Sequence, residues 1–400
     1  MQNILYFCGY SKQMMAFKRN LAVKIKLLLA VAAAIYLLPG CGEGGVHSLA
    51  GADTLYIPRH ARGFEILGLG KSSMLIVRNP WQGATGVERM IFVAREGEKA
   101  PEGFKGEVIR APAARVVCMS SSYVAFLDAL GCVDAVVGVS GSRFITNPAI
   151  RGRIEQREVF DIGFDSGINY ELVASLKPDM LLAYGVESEN TMLSGKMGEL
   201  SVPMVYVGEY LEASPLGRAE WIVFFGELMD CRDEALALFD EIAGEYGYAC
   251  RMATAVKPPI VMLNAPWRDV WYVPGDRNYM VELIRDAGGV YACAGYDTEK
   301  TRPIDTETAF VRAAAADFWL NPGQVATLAE LTTLNPRFAA IRPVKMRRVY
   351  NCTKRSTPDG GSDFWESGVV RPDLALKDLI KIFHSELLPD HQLHYYKMLD

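Results

Sequence analysis

The residue types with the most versatile chemistry in this chain are its histidines, and their positions limit what they can do. The five are His47, His60, His384, His391 and His394, so none lies between residues 61 and 383. That interval therefore cannot supply its own Ser-His-Asp triad or histidine metal site. The three-residue spacing of the last two is more typical of a solvated C-terminal helix than of a metal site. This distribution favours recognition over catalysis.

Two sequence motifs come close to a known chemistry and miss it. Gly138-Val-Ser-Gly141 falls one position short of the GxSxG motif of serine hydrolases. Gly70-Lys-Ser72 resembles the end of a phosphate-binding loop, but the pattern needs a glycine where Glu65 stands. We therefore interpret residues 70–72 as a hairpin turn.

The cysteines do not form a metal or redox motif. No two of them make a CxxC pair, which excludes a zinc ribbon and a thioredoxin-like site. Several lie in apolar runs, where cysteine is usually a small core residue. An exported protein can form disulfides, but the sequence does not determine which cysteines would pair. Beyond Cys8 and Cys41 they are Cys118, Cys132, Cys231, Cys250, Cys293 and Cys352.

The composition describes a globular chain that does not bind nucleic acid. The 400 residues allow two or three domains of about 100–200 residues each. Half of them are hydrophobic, which rules out a wholly disordered chain. The formal net charge is −5, so no large basic surface for phosphate contacts is expected.

Residues 1–40 have the layout of an export signal and form the first predicted segment. They contain five basic and no acidic side chains, and residues 27–38 are an unbroken apolar run. That run is short for a membrane-spanning helix, which needs about 20 residues. It ends in Leu38-Pro-Gly-Cys41, which resembles a bacterial lipobox except at Pro39. The resemblance implies a lipidated Cys41 followed by a flexible tether, with an uncleaved membrane anchor as the alternative.

The segment after the signal is predicted to be rich in β-structure. Residues 41–110 are interpreted as the tether and a β-rich extension, and the charged, Pro- and Gly-rich stretch 95–114 as a linker. Gly, Asn and Pro separate four short β-like runs in this extension. They are Thr54–Ile57, Phe64–Leu67, Ser73–Val77 and Arg89–Ala94.

Beyond the linker, strands and helices alternate twice in the same order. The equivalent positions Ser120/Asn264, Asp179/Asp317 and Val207/Tyr350 lie 144, 138 and 143 residues apart. We predict an α/β fold of two Rossmann-like lobes, residues 111–210 and 256–400, with mainly parallel sheets. The predicted strands are Arg115–Met119, Ala135–Val139, Met180–Ala183, Pro203–Val207, Ile260–Leu263, Val290–Cys293, Asp317–Leu320 and Arg348–Tyr350.

A long helix is predicted to join the lobes over residues 211–255. Ser214-Pro215 is typical of a helix start, and apolar residues recur at helical spacing from Trp221 to Tyr246, with an interruption near residues 230–233. A single connecting helix would make a stiff hinge, so large lobe closure is not expected.

Aromatic residues follow many of the predicted strands. In parallel α/β sheets, ligands bind beyond the carboxyl ends of the strands. Large flat side chains at those ends suit a bulky, ring-containing ligand. The candidate contacts are Tyr123, Phe144, Phe164, Tyr184 and Tyr210 in the first lobe, and Trp267, Trp271, Tyr272, Tyr296 and Trp365 in the second.

Four sequence features together resemble a known family. They are Arg115-Val-Val-Cys-Met-Ser-Ser121, Leu130-Gly131, Leu176-Lys-Pro-Asp-Met-Leu-Leu-Ala-Tyr184 and Ala316-Asp-Phe-Trp-Leu-Asn321. With two lobes and one linking helix, residues 111–385 resemble the substrate-binding proteins of ABC importers for iron chelates, haem and cobalamin. The resemblance implies capture of a metal complex without catalysis or a resident cofactor. It also implies a monomer that delivers its ligand to a permease with ATPase subunits.

The family resemblance also implies where the permease would dock. In such proteins one glutamate on each lobe enters an arginine pocket of the permease. By position these are Glu189, with Glu187 as a near alternative, and Glu307. Two other functions stay open. One is a metallo-enzyme on a similar scaffold, and the other is a surface adhesion lipoprotein that uses the β-rich extension.

Overall fold

The computed structural model describes residues 52–164, 167–186, 188–254, 257–267 and 270–400. Their strands form three five-stranded sheets and one two-stranded ribbon. One five-stranded sheet belongs to the extension and one to each predicted lobe. Cys41 and the predicted export signal lie outside the described residues, as does Glu187.

The extension is a sheet in the order β1-β2-β3-β4-β5. The four predicted strands are present, and the turn between β2 and β3 contains Gly70 at φ +63°, which confirms a hairpin there. The linker prediction for residues 95–114 was wrong, because β5 lies within it and pairs in parallel with β4. The strands are β1 Asp53–Tyr56, β2 Phe64–Leu69, β3 Ser72–Arg78, β4 Glu88–Ala94 and β5 Glu107–Arg110.

The first lobe is a parallel sheet in the order β10-β9-β6-β7-β8. Its three central strands are buried along their whole length, as expected where helices cover both faces. The strands are β6 Val116–Cys118, β7 Val136–Val139, β8 Phe160–Asp161, β9 Met180–Ala183 and β10 Met204–Tyr206. The helices are α1 Ser121–Ala129, α2 Pro148–Glu155, α3 Tyr170–Leu176 and α4 Thr191–Glu199.

Three helices rather than one occupy the linking segment. They are α5 Pro215–Glu220, α6 Ile222–Leu228 and α7 Arg232–Ala253. The Ser214 hydroxyl caps α5 by accepting from the Gly217 N–H, which confirms the predicted start. The 22-residue α7 is the link itself, since Phe239 packs in the first-lobe core and Ala249 in the second-lobe core.

The second lobe has a sheet in the order β13-β11-β15-β16-β17, parallel except for β17. The antiparallel ribbon of β12 and β14 and the strand β17 were not predicted from the sequence. The strands are β11 Ile260–Leu263, β12 Trp271–Val273, β13 Val290–Tyr291, β14 Arg302–Ile304, β15 Phe318–Leu320, β16 Val349–Asn351 and β17 Lys397–Met398. The helices are α8 Tyr279–Asp286, α9 Thr306–Ala315, α10 Leu328–Leu334, α11 Arg342–Lys345, α12 Ser367–Val370 and α13 Pro372–Phe383.

The internal repeat is visible in equivalent hydrogen bonds. The Asp179 carboxylate accepts from the Arg115 N–H at the start of β6, and the Asp317 carboxylate accepts from the Ile260 N–H at the start of β11, at 2.9 Å in each case. The two lobes are therefore built on one plan.

The C-terminal histidines do not lie on a solvated helix as predicted, because α13 ends at Phe383. The Asp378 carboxylate instead holds both the His391 ring and the His394 N–H.

The C-terminal segment brings the second lobe against the first. Val369 and Val370 of α12 belong to the first-lobe core. Just before them, the buried Glu366 carboxylate accepts from the backbone N–H groups of Thr146 and Asn147, each at 2.7 Å. The loop after β16 therefore touches the loop after β7, at the carboxyl ends of the two sheets.

Candidate ligand site

Phe144 and Phe164 form an aromatic pair where β7 and β8 end. Their rings meet edge to face with centroids 5.6 Å apart, and Phe164 is 47% exposed. Between them the chain turns at Gly141, whose φ is +68° and whose missing side chain leaves room for both rings. The turn presents an exposed apolar surface at this end of the first lobe.

Tyr184 and Tyr210 form a second pair, after β9 and β10. Their ring centroids are 6.5 Å apart, and the Tyr210 hydroxyl donates to the Gly185 carbonyl. Burial raises the pKa of Tyr210 to about 12, so its hydroxyl keeps its proton at neutral pH. Trp81 of the extension forms a β-bridge with Gly185, so the extension reaches this end of the first-lobe sheet.

Two of the predicted ligand contacts are core residues instead. Tyr123 is fully buried, and its hydroxyl contacts the carbonyl oxygens of Ala183 and Val207, each at 3.3 Å. Trp271 is also fully buried, and its Nε1–H donates to the Leu263 carbonyl at 3.1 Å. Both side chains point into their lobes and are removed from the set of candidate contacts.

The second lobe exposes three aromatic side chains near the carboxyl end of its sheet. Trp267 is 59% exposed after β11, and Tyr272 is 40% exposed on β12. Trp365 is 44% exposed and rests edge-on against Tyr279, with the ring centroids 6.1 Å apart. These surfaces are available to a large apolar ligand.

Arginines accompany the aromatic residues, and the sequence reasoning did not single them out. The exposed Arg143 guanidinium lies 4.6 Å from the centroid of the Phe144 ring. In the second lobe, the guanidinium of Arg302 on β14 lies over the ring of Tyr296, which is half-buried. Arg143 lies four residues after β7, and this place at the carboxyl end of a strand could have identified it as a candidate from the sequence. Cationic groups therefore lie beside aromatic rings in both lobes.

A buried carboxyl group lies at the contact between the lobes. Burial raises the pKa of Glu366 to about 7, although the N–H donors of Thr146 and Asn147 oppose that shift. Within the part of the chain that the structure describes, no group of three or more His, Cys, Asp or Glu side chains could hold a metal ion.

Both candidate docking glutamates lie at helix starts and pair with arginines of this chain. Glu189 precedes the N-cap Asn190 of α4, and its Oε2 lies 2.9 Å from Nη2 of Arg89 in the extension. Glu307 is in the first turn of α9, and both its carboxylate oxygens accept from Arg337 at 2.9 Å. Arg337 lowers the pKa of Glu307, which keeps that carboxylate charged.

A groove separates the extension from the first lobe beside Glu189. Its volume is about 540 Å³, and its lining includes Arg89, Glu107 and Tyr206. Burial raises the pKa of Glu107, whose carboxylate accepts from the backbone of Met204 on β10. The extension therefore forms one wall of the surface on which Glu189 lies.

No helix among the described residues combines the length and the hydrophobicity needed to cross a membrane. The apolar run 27–38 and Cys41 lie outside those residues.

Comparison with known proteins agrees with this two-lobed architecture. A model of the periplasmic binding protein family matches residues 116–356. An uncharacterized lipoprotein of Methanocaldococcus jannaschii is 27% identical over 310 residues, which cover 75% of this chain and 71% of the relative.

Solved structures share the fold at low sequence identity. A periplasmic binding protein from Veillonella parvula superposes with a TM-score of 0.57 at 15% identity, covering 79% of this chain and 99% of its own. The periplasmic heme-binding protein RhuT from Roseiflexus sp. RS-1 gives a TM-score of 0.54 at 20% identity, covering 69% and 99%.

Proposed function

The chain belongs to the periplasmic binding protein family, and from this premise we propose that it captures a metal chelate between its two lobes and delivers it to an ABC permease. The ligand class is a ferric siderophore, haem or cobalamin. The chain acts as a monomer and catalyses no reaction on its ligand. Its partners are the permease and ATPase subunits of an importer.

The observation that carries this proposal is the exposed aromatic surface at the carboxyl ends of both sheets. Phe164 on the first lobe and Trp267 and Trp365 on the second are each more than 40% exposed. Exposed aromatic side chains of this size favour a partner with a large apolar or ring-containing surface. A chelate held between lobes would bury both surfaces at once.

The charges beside these rings support an anionic chelate. The guanidinium groups of Arg143 and Arg302 lie against aromatic rings, and guanidinium groups bind carboxylates in a planar, bidentate way. Haem propionates and the acidic groups of many ferric siderophores offer such carboxylates or other anionic oxygens. The Roseiflexus protein, which shares this fold, is a heme-binding protein, and that is consistent with an anionic chelate.

The test is a ligand panel on the purified, detergent-solubilised full chain. Haemin, one hydroxamate and one catecholate ferric siderophore, and cyanocobalamin are titrated separately, with tryptophan fluorescence and the melting temperature as readouts. We expect one class to quench fluorescence and raise the melting temperature, because a ligand that binds only the folded state stabilises it. If all four leave both readouts unchanged, the chelate proposal fails and the adhesion alternative gains.

We also propose that Cys41 carries a lipid that anchors the protein to the outer face of a membrane. Replacing Cys41 by Ser removes the lipidated thiol, so the variant should move from the membrane to the soluble fraction. Cys8→Ser is the matched control and should stay with the membrane. A Cys41→Ser protein that remains membrane-bound would identify residues 27–38 as an uncleaved anchor.

A further inference from the structure

Two cysteines, Cys132 and Cys231, follow the ends of two helices that pack together in the first-lobe core. Helices α1 and α6 pack through Phe126 and Phe225, whose rings stack with centroids 4.6 Å apart and an interplanar angle of 18°. Cys132 lies six residues after Phe126, and Cys231 lies six residues after Phe225. Because β6 and β7 are parallel neighbours, α1 runs back from the end of β6 toward its start, and the Leu228 carbonyl at the end of α6 accepts from the Ala113 N–H just before β6 at 3.2 Å. Both helices therefore end near the start of β6, which brings the two cysteines to the same end of the helix pair.

The backbone at each cysteine turns back over the helix end. Gly131 takes the left-handed conformation at φ +68°, and the Cys132 N–H donates to the Leu127 carbonyl at 2.7 Å. The Cys231 N–H donates to the Gly226 carbonyl at 2.8 Å, directly before α7 begins. Both side chains are partly buried against the same apolar core. These bonds hold the two Cα positions in place.

Both cysteines are free thiols in the structure, and Cys132 is near enough to affect the ionisation of Cys231. Burial raises the pKa of Cys231 to about 12, and the neighbouring Cys132 thiol raises it further by charge and hydrogen bonding. Cys250 is a useful comparison at the other end of α7. It is also partly buried, but its pKa is raised by burial and by Asp286.

We propose that Cys132 and Cys231 form a disulfide in the exported protein. Each thiol loses its proton and one electron, the two sulfur atoms bond, and the disulfide of an extracytoplasmic thiol oxidant is reduced to two thiols. The family is extracytoplasmic, where disulfides persist. The bond closes a loop that contains most of the first lobe and fixes the start of α7. The disulfide proposal does not depend on which ligand the protein binds.

The first test is a peptide map of the full chain isolated from membranes. Cells are lysed in N-ethylmaleimide without reductant, and the protein is digested and analysed by mass spectrometry. The expected product is a peptide pair joined through Cys132 and Cys231, two hydrogen masses lighter than the two free peptides. Recovery of both cysteines as maleimide adducts overturns the proposal. This measurement needs no variant.

The second test compares melting temperatures with and without reductant. Reduction should lower the melting temperature of the wild type by about 5–10 °C, because a long closed loop restricts the unfolded chain. Cys132→Ser should melt at the reduced wild-type temperature and ignore reductant, whereas Cys250→Ser should behave like the wild type. An equal reductant response in Cys132→Ser contradicts the disulfide. If that variant does not accumulate, the peptide map alone decides.

Discussion

Trp267 and Trp365 are the side chains on which the ligand proposal depends most directly. Both are exposed in the second lobe, so removing either should cost little folding energy. Replacement of either by Ala should weaken ligand binding by about 1–3 kcal/mol, the range for one buried aromatic contact. The measurement is a fluorescence or absorption titration with the panel ligand that binds, alongside the melting temperature of the empty protein.

Tyr248 gives the matched control for these substitutions. It is 55% exposed, but it lies on the linking helix α7 rather than near a strand end. Tyr248→Ala should leave both affinity and melting temperature unchanged. Equal affinity losses in all three variants would show that exposed aromatic residues affect binding nonspecifically, and an unchanged affinity in both tryptophan variants would remove them from the site.

The sequence predicts which end of a lobe these residues occupy but not which way each side chain points. Trp271 and Tyr272 are adjacent on β12, and because successive side chains of a strand face opposite ways, one is fully buried and the other 40% exposed. Tyr123 shows the same limit on a helix, because it lies on the face of α1 that packs in the core. Which face of a strand or helix is buried depends on packing partners distant in sequence.

The β-rich extension is fastened to the linking segment by a buried carboxylate. Glu220 of α5 is fully buried and accepts from the N–H groups of Arg59, His60 and Ala61, each at 2.7 Å, and from the Tyr56 hydroxyl. Glu220→Gln replaces one carboxylate oxygen by an NH₂ group, which cannot accept hydrogen bonds from these N–H and O–H groups. The free energy of unfolding should fall by about 1–3 kcal/mol, the cost of unsatisfied buried polar groups. Urea unfolding measures it.

Asp240→Asn serves as the control because it affects the same segment from the surface. Asp240 pairs with Arg59, but both side chains are more than half exposed. Exposed ion pairs contribute about 0–1 kcal/mol, so this variant should unfold nearly as the wild type does. Limited proteolysis should cut residues 52–62 faster in Glu220→Gln than in Asp240→Asn. Equal rates would mean that Glu220 does not secure the extension.

Element-level prediction succeeded where a strong local pattern existed. The strands Ile260–Leu263 and Met180–Ala183 match their predicted bounds, since each is an apolar run between clear breaks. The missed strand β5 has four residues, one of them buried, and it is a strand because β4 lies alongside. Short edge strands depend on such partners more than on their own residues.

The contact between the lobes should respond to pH through Glu366. Burial raises its pKa to about 7, so the folded protein holds this proton more tightly than the unfolded chain does. The resulting stability is complete below the ordinary glutamate pKa and is lost as pH rises to about 7. Relative to Glu366→Gln, which does not titrate, wild-type unfolding free energy should fall by about 3 kcal/mol between pH 4 and pH 8.

Urea unfolding of both proteins across that pH range measures the difference, in which the other titrating groups cancel. Glu107→Gln is a useful control, because burial also raises the pKa of Glu107 but its partner, Met204, is in the first lobe. Neutralising Glu107 should leave the Glu366-dependent fall intact. A wild-type and Glu366→Gln difference that stays constant with pH would show that the pKa of Glu366 is the same in the folded and unfolded chains.

Delivery of the ligand, as distinct from its capture, should depend on Glu189 and Glu307. Both lie at helix starts on different lobes, and each already pairs with an arginine of this chain, so neither needs to touch the ligand. Reversing both to Arg should leave the ligand dissociation constant nearly unchanged while abolishing uptake. If the permease offers arginine pockets, as the family resemblance implies, like charges would then face each other, and such juxtapositions cost several kcal/mol. Uptake of labelled ligand by whole cells is measured beside binding to the purified variant.

The arginines that already hold these carboxylates provide the decisive comparison. Arg89 and Arg337 pair with Glu189 and Glu307 in the structure, so docking through these carboxylates would exchange an internal partner for an external one. Replacing both arginines by Ala frees the carboxylates without changing their sign, and uptake should persist. Loss of uptake in the glutamate reversals but not in the arginine variants would locate docking at the carboxylates. Equal loss in both would instead point to the local structure that the ion pairs maintain, and undiminished uptake in both would make Glu189 and Glu307 ordinary surface charges.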